Sequence, residues 1–99
     1  MSNNNFTPIH ESAKDNDVNE VTRLLKQGED IEAIDDYERT PLHVSAIHGS
    51  TEVADLLLQR NADFDAKDFY EESSMHHAAW NNSYDIAQIL SEAAADLDA

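Results

Sequence analysis

Cysteine is absent from all 99 residues of the chain, which excludes disulfides and thiolate chemistry and suits a reducing compartment. Long apolar runs are absent too. None approaches the roughly 20 residues that cross a bilayer, and the N-terminal MSNNN has neither the basic start nor the apolar middle of a signal peptide. An unexported, cytoplasmic chain is the expectation. Positive charge is scarce: six Lys and Arg stand against twenty-one Asp and Glu, a formal net charge of -15. Such a field repels phosphate backbones and anionic lipid alike, so nucleic acid and membrane are poor candidate partners. The acidity fits plain solubility or the steering of a basic partner, and charge alone does not separate them.

Catalytic signatures are missing as well. The chain has no HExxH, no DxDxDG calcium loop, no GxxxxGK[ST] or GxGxxG phosphate loop and no GxSxG elbow. Carboxylate pairs such as Asp35 with Asp36 and Glu71 with Glu72 read as solvated turn residues, because acid-base catalysis needs a concave site that perturbs a pKa. A non-catalytic protein without cofactor or metal is expected.

What the chain does have is a repeat. TPIHESAKDND from Thr7, TPLHVSAIHGS from Thr40 and SSMHHAAWNNS from Ser73 start 33 residues apart, and LLKQGEDIEA, LLQRNADFDA and LSEAAADLDA align without gaps in the same phase. Thr7-Pro8 and Thr40-Pro41 are helix starts, since the hydroxyl accepts an orphan N–H and proline at the first helical position loses no bond. Ser73 keeps the cap but is followed by Ser74, so the third start is the least rigid. Nine residues on stand Asn16, Gly49 and Asn82, residue types that enter the left-handed conformation most cheaply and so end helices. Asp17, Ser50 and Ser83 follow as N-caps of a second helix.

In the middle copy Val53, Leu56 and Leu57 form an i, i+3, i+4 stripe, widened by Leu58, that must be buried. On the first helices the small pairs Ser12-Ala13, Ser45-Ala46 and Ala78-Ala79 permit close approach of the helix beside them. Turn-rich connectors such as NADFDAKDFYEES from Asn61 link the copies. A lone pair of short helices cannot bury its stripe, so stability has to come from stacked neighbours.

The pattern resembles the ankyrin repeat: TPLH at Thr40 to His43, two short helices separated by Gly49, and NAD at Asn61 to Asp63 where the family has GAD. The likeness covers residues 7–99. It implies an all-α solenoid of three stacked helix-turn-helix repeats joined by β-hairpin-like loops, one domain over 1–99. The divisions are an N-terminal capping repeat (1–39), a central repeat (40–72) and a C-terminal repeat (73–99). Capping fits Glu20 and Arg23 standing where the middle copy has Val53 and Leu56, and Ser91 where it has Leu58. One departure is the hairpin tip, glycine in the family but Asn5, Glu38 or Glu71 here. A left-handed glutamate costs about 1 kcal/mol, which points to a different turn at these tips.

The resemblance also implies function. Ankyrin repeats bind proteins through hairpin tips and the concave side of the first helices. Carried over, those positions are Ile34, Asp36, Tyr37, Arg39, Ile47 and His48 in the middle copy and Lys67, Phe69, Tyr70, Glu72, Trp80 and Asn81 in the third. The first copy adds Phe6, Lys14 and Asp15. The expected partner-binding residues are Tyr37, Arg39, Ile47, His48, Phe69, Tyr70, Trp80 and Asn81, and the expected partner of this monomeric scaffold is a basic protein or peptide. Five of the seven aromatics fall on that surface, with Phe64 and Tyr84 at framework positions. His10, His43 and His76 share the repeat position whose histidine, in the family, bonds locally to the turn. The alternative is a metal-binding or hydrolytic protein using His48, His77 and nearby carboxylates. His76 and His77 themselves point about 100° apart on a helix and cannot grip one ion from one face.

Overall fold

The computed structural model describes residues 6–97. Among the described residues are six helices and no strand: α1 (Pro8–Lys14), α2 (Val18–Lys26), α3 (Pro41–His48), α4 (Thr51–Gln59), α5 (Ser74–Trp80) and α6 (Tyr84–Leu97). They form three antiparallel pairs, as the 33-residue period requires.

The helix starts follow from the TPLH chemistry. Thr7, Thr40 and Ser73 are N-caps in extended conformation, and each takes part in a reciprocal capping box with the histidine three residues on. At Thr40 the hydroxyl accepts the His43 N–H at 3.3 Å, while His43 Nδ1 accepts the Thr40 N–H at 3.0 Å. Histidine thus fills the place glutamate usually takes in this motif. The first helices end where expected, with Asn16, Gly49 and Asn82 at φ +57, +69 and +56.

Stacking follows from the apolar stripes. α3 packs between α1 and α5, and α4 between α2 and α6. Ile9, Val21, Leu42, Val53, Leu57 and Ile86 are fully buried in one continuous core, with Leu56, Leu58 and Ile89 packed partly against it. Ser12, Ala13, Ser45, Ala46 and Ala78 are buried between adjacent helices. Ala79 is exposed, contrary to expectation. It lies on α5, whose main packing neighbours among the described residues are α3 and α6. The molecule measures 43 × 29 × 21 Å, elongated as a short stack should be.

Polar groups tie each pair to the next. His10 Nε2 meets the Arg39 carbonyl at 2.8 Å and His43 Nε2 meets the Glu72 carbonyl at 2.9 Å. Nδ1 accepts the cap N–H, so Nε2 carries the proton and donates it to the carbonyl. The structural role of this histidine therefore reaches across 29 residues as well as into its own turn. Asn16 bridges likewise: its Oδ1 accepts the Val53 N–H at 3.0 Å and its Nδ2 donates to Glu52 Oε1 at 2.7 Å. Ser50 corrects the simple capping expectation. It occupies the N-cap position of α4, but its hydroxyl makes no cap bond and donates to the Lys14 carbonyl at 3.1 Å.

The hairpin tips also correct an expectation. Glu38 and Glu71 do adopt the left-handed conformation, at φ +59 and +64. Asn5 lies outside the described residues.

Candidate functional site

Each tip is built on a buried aspartate. Asp35 is only 4% exposed and Asp68 3%. Asp35 Oδ1 accepts the N–H groups of Tyr37 and Arg39, both at 2.9 Å, and Oδ2 accepts Arg39 Nε at 2.7 Å. The Asp35 N–H donates to the Arg39 carbonyl at 3.1 Å, and the Glu38 N–H to the Asp35 carbonyl at 2.9 Å. Asp68 repeats the arrangement, its Oδ1 accepting from Tyr70 N at 2.9 Å and Glu72 N at 3.0 Å. These bonds wind the backbone tightly enough to hold a glutamate left-handed. Asp35 is therefore no solvated turn residue, whereas its neighbour Asp36 is exposed.

With the aspartates turned inward, the aromatic residues that follow each of them face out. Tyr37 and Tyr70 are 50% and 61% exposed and stack with ring centroids 6.4 Å apart and planes 20° apart. Phe69, at 62%, stands edge-on to Tyr70 at 5.2 Å. Its N–H donates to the Tyr37 carbonyl at 2.8 Å, pinning one tip to the next. The Arg39 guanidinium, held by Asp35, lies 5.1 Å over the Tyr37 ring. On α5, Trp80 is 64% exposed and meets His77 edge to face at 6.1 Å. Asn81, exposed beside it, donates to the His77 carbonyl at 2.8 Å.

Of the remaining predicted surface positions, Ile34, His48, Lys67, Lys14 and Asp15 are exposed, while Ile47 and Glu72 are half-buried. Two aromatics exchange roles. Phe6 is half-buried, packs against the core and stacks on His10 at 5.3 Å, so it is not part of the open face. Tyr84, expected in the framework, is 75% exposed, while Phe64 does pack against the core. Their alignment between copies gave the wrong side because the outermost copies lack a neighbour on one face.

His48 has its pKa lowered, first by partial burial and then by the positive charges of Lys14 and Arg39, against a smaller opposing pull from Asp15. His48 and His77 do not form the joint ligand set of the metal-binding alternative. Among the described residues, the group whose ligand atoms come together is Asp68, Glu72 and His77, all within 4.8 Å. His77 Nε2 lies 2.8 Å from Asp68 Oδ2 and 3.7 Å from Glu72 Oε1. For Asp68, burial pushes the pKa up, but hydrogen bonds from His77 and from the Glu72 and Tyr70 N–H groups outweigh it, and the net direction is down. His43 is pushed down, mainly by burial. A cleft of about 350 Å³ opens between the second and third tips, lined by Tyr37, Arg39, Asp68, Tyr70, Glu72 and His77. The anchoring role of Asp35 and Asp68 escapes motif reading, although their recurrence 33 residues apart is a visible signal.

No curated protein matches the chain in sequence. A family model described as ankyrin repeats, in three copies, matches residues 9–99. The stacked helix pairs, the reciprocal Thr–His caps and that match agree, and the chain belongs to the ankyrin repeat family, whose repeats are in general protein–protein interaction modules.

Proposed function

We propose that this chain is a non-catalytic, monomeric interaction module. It captures a protein or peptide of basic character on the hairpin tips and concave side of the second and third helix pairs. The observation that carries the reading is the run of exposed rings Tyr37, Phe69, Tyr70 and Trp80 on a chain of net charge -15. Large apolar groups left in water beside many charges mark binding surfaces, and Tyr, Trp and Arg are the residues that most often carry interface energy. Arg39, Ile47, His48 and Asn81 supply the rest of the contact surface. The bonds from Asp35, Asp68 and the Phe69 N–H hold the tips before a partner arrives, so little ordering entropy is lost on binding.

Peptide-display selection on the immobilised chain, counter-selected on the Tyr70→Ala/Trp80→Ala double variant, tests this reading. Lys- and Arg-rich sequences should be enriched, and their affinity for the double variant should drop by about 30-fold or more, the effect of losing one good anchor of about 2 kcal/mol. Helical circular dichroism should be unchanged. Equal binding to both proteins, or enrichment of acidic sequences, overturns it.

A further inference from the structure

The second and third tips share one backbone but not one electrostatic solution. In the second, Asp35 is neutralised by Arg39. Thirty-three residues on, Arg39 is replaced by Glu72, and Val44, a core residue of α3, is replaced by His77. The third tip therefore gathers two carboxylates around one imidazole, with side-chain exposures of only 2% for Asp68, 22% for Glu72 and 11% for His77. Two carboxylates facing one imidazole carry more negative charge than a single proton on the ring balances. A buried group of this kind needs a compensating cation.

We propose that Asp68 Oδ2, Glu72 Oε1 and His77 Nε2 together bind one divalent transition-metal ion of the zinc class, with water completing the coordination shell. Ligands at about 2.0–2.1 Å in tetrahedral array lie about 3.3 Å apart. The observed 2.8 and 3.7 Å from Nε2 straddle that value, and all three ligand atoms lie within 4.8 Å of one another, close enough for side-chain rotation to close the shell. Asp68 Oδ1 is already held by the Tyr70 and Glu72 N–H groups, leaving Oδ2 as a pre-oriented single ligand atom. The metal displaces any proton between Nε2 and Asp68 Oδ2, and the ring coordinates through Nε2 as the neutral tautomer with its proton on Nδ1. A nitrogen with two oxygens favours zinc-class ions over calcium or magnesium, which prefer oxygen alone. His10 and His43 do not compete, because both of their ring nitrogens are already engaged. Arg39 lines the same cleft but is tied to Asp35.

The inference does not rest on the docking reading, since it concerns the free protein. Calorimetric titration with zinc chloride in a non-coordinating buffer should give one equivalent of saturable binding, unaffected by excess magnesium. Cobalt(II) should give a visible spectrum at the same stoichiometry. Glu72→Arg and His77→Val each restore what the central repeat carries at that position, so both fit the fold. Each should weaken zinc binding by at least about 100-fold, beyond what loss of a mere supporting partner does. Glu71→Gln, on the exposed neighbour, should leave zinc binding unchanged, and circular dichroism reports folding throughout. Saturable zinc binding that survives both substitutions, or none in the unmodified chain, shows Asp68 and His77 to be a plain ion pair. Peptide capture without zinc is measured separately, so the two proposals fail independently.

Discussion

At the scale of single residues, the left-handed glutamates show how the fold overrides a local preference. Glu38 and Glu71 hold φ +59 and +64 because Asp35 and Asp68 beneath them bind the backbone of the same turn. The strain is about 1–2 kcal/mol per residue, part of which is returned because glycine loses more entropy on folding. Replacing Glu38 or Glu71 by glycine should therefore stabilise the chain by about 0.5–1 kcal/mol each, read as a higher midpoint in urea at unchanged slope. A lower midpoint would mean that the glutamate side chains themselves hold the turns. The tip conformation was not legible in the sequence, because propensity argues against a left-handed glutamate and the opposing bonds come from an aspartate that reads as one more solvated acid. The caps were legible, since Thr40 and His43 lie three residues apart and every bond between them is local.

At the scale of elements, helix ends were readable wherever the deciding residues are neighbours in the chain, as at Asn16, Gly49 and Asn82. Bonds between copies were not. Nothing local tells that the Ser50 hydroxyl turns away from its own helix to the Lys14 carbonyl, or that Asn16 caps α4. The faces of the outer copies were misread for the same reason, with Ala79 and Tyr84 open and Phe6 packed. The exposure of Tyr37 and Tyr70 was legible, because they occupy one repeat position and solvent meets both. Among the first helices of the three pairs, α5 is the one whose start lacks proline. Its cap Ser73 sits at φ -93 and ψ 172, the extended conformation that a following proline demands. Pro41 at the matching position of α3 is buried and fits its site. Ser74→Pro should therefore restrict the unfolded chain without disturbing the helix, adding about 0.5–1 kcal/mol and about 2–8 °C in Tm. A fall in Tm would show that the packing around Ser74 differs from that around Pro41.

At the scale of the whole molecule, the charge of -15 and the ringed face predict separable effects on binding. Long-range attraction acts before contact and raises the association rate, whereas desolvated rings act after contact and set how slowly the complex falls apart. The field of a 43 Å stack reaches a partner only as far as salt permits. The screening length falls from about 30 Å at 0.01 M ionic strength to about 10 Å at 0.1 M and about 3 Å at 1 M. For a selected basic peptide, stopped-flow following Trp80 fluorescence should show the association rate dropping about tenfold or more over that range. The dissociation rate should change far less. Conversely, Tyr70→Ala should speed dissociation and leave the salt dependence of association intact, because it removes no charge. An association rate that ignores salt would reduce the acidity to a matter of solubility and leave the aromatic face as the sole source of recognition.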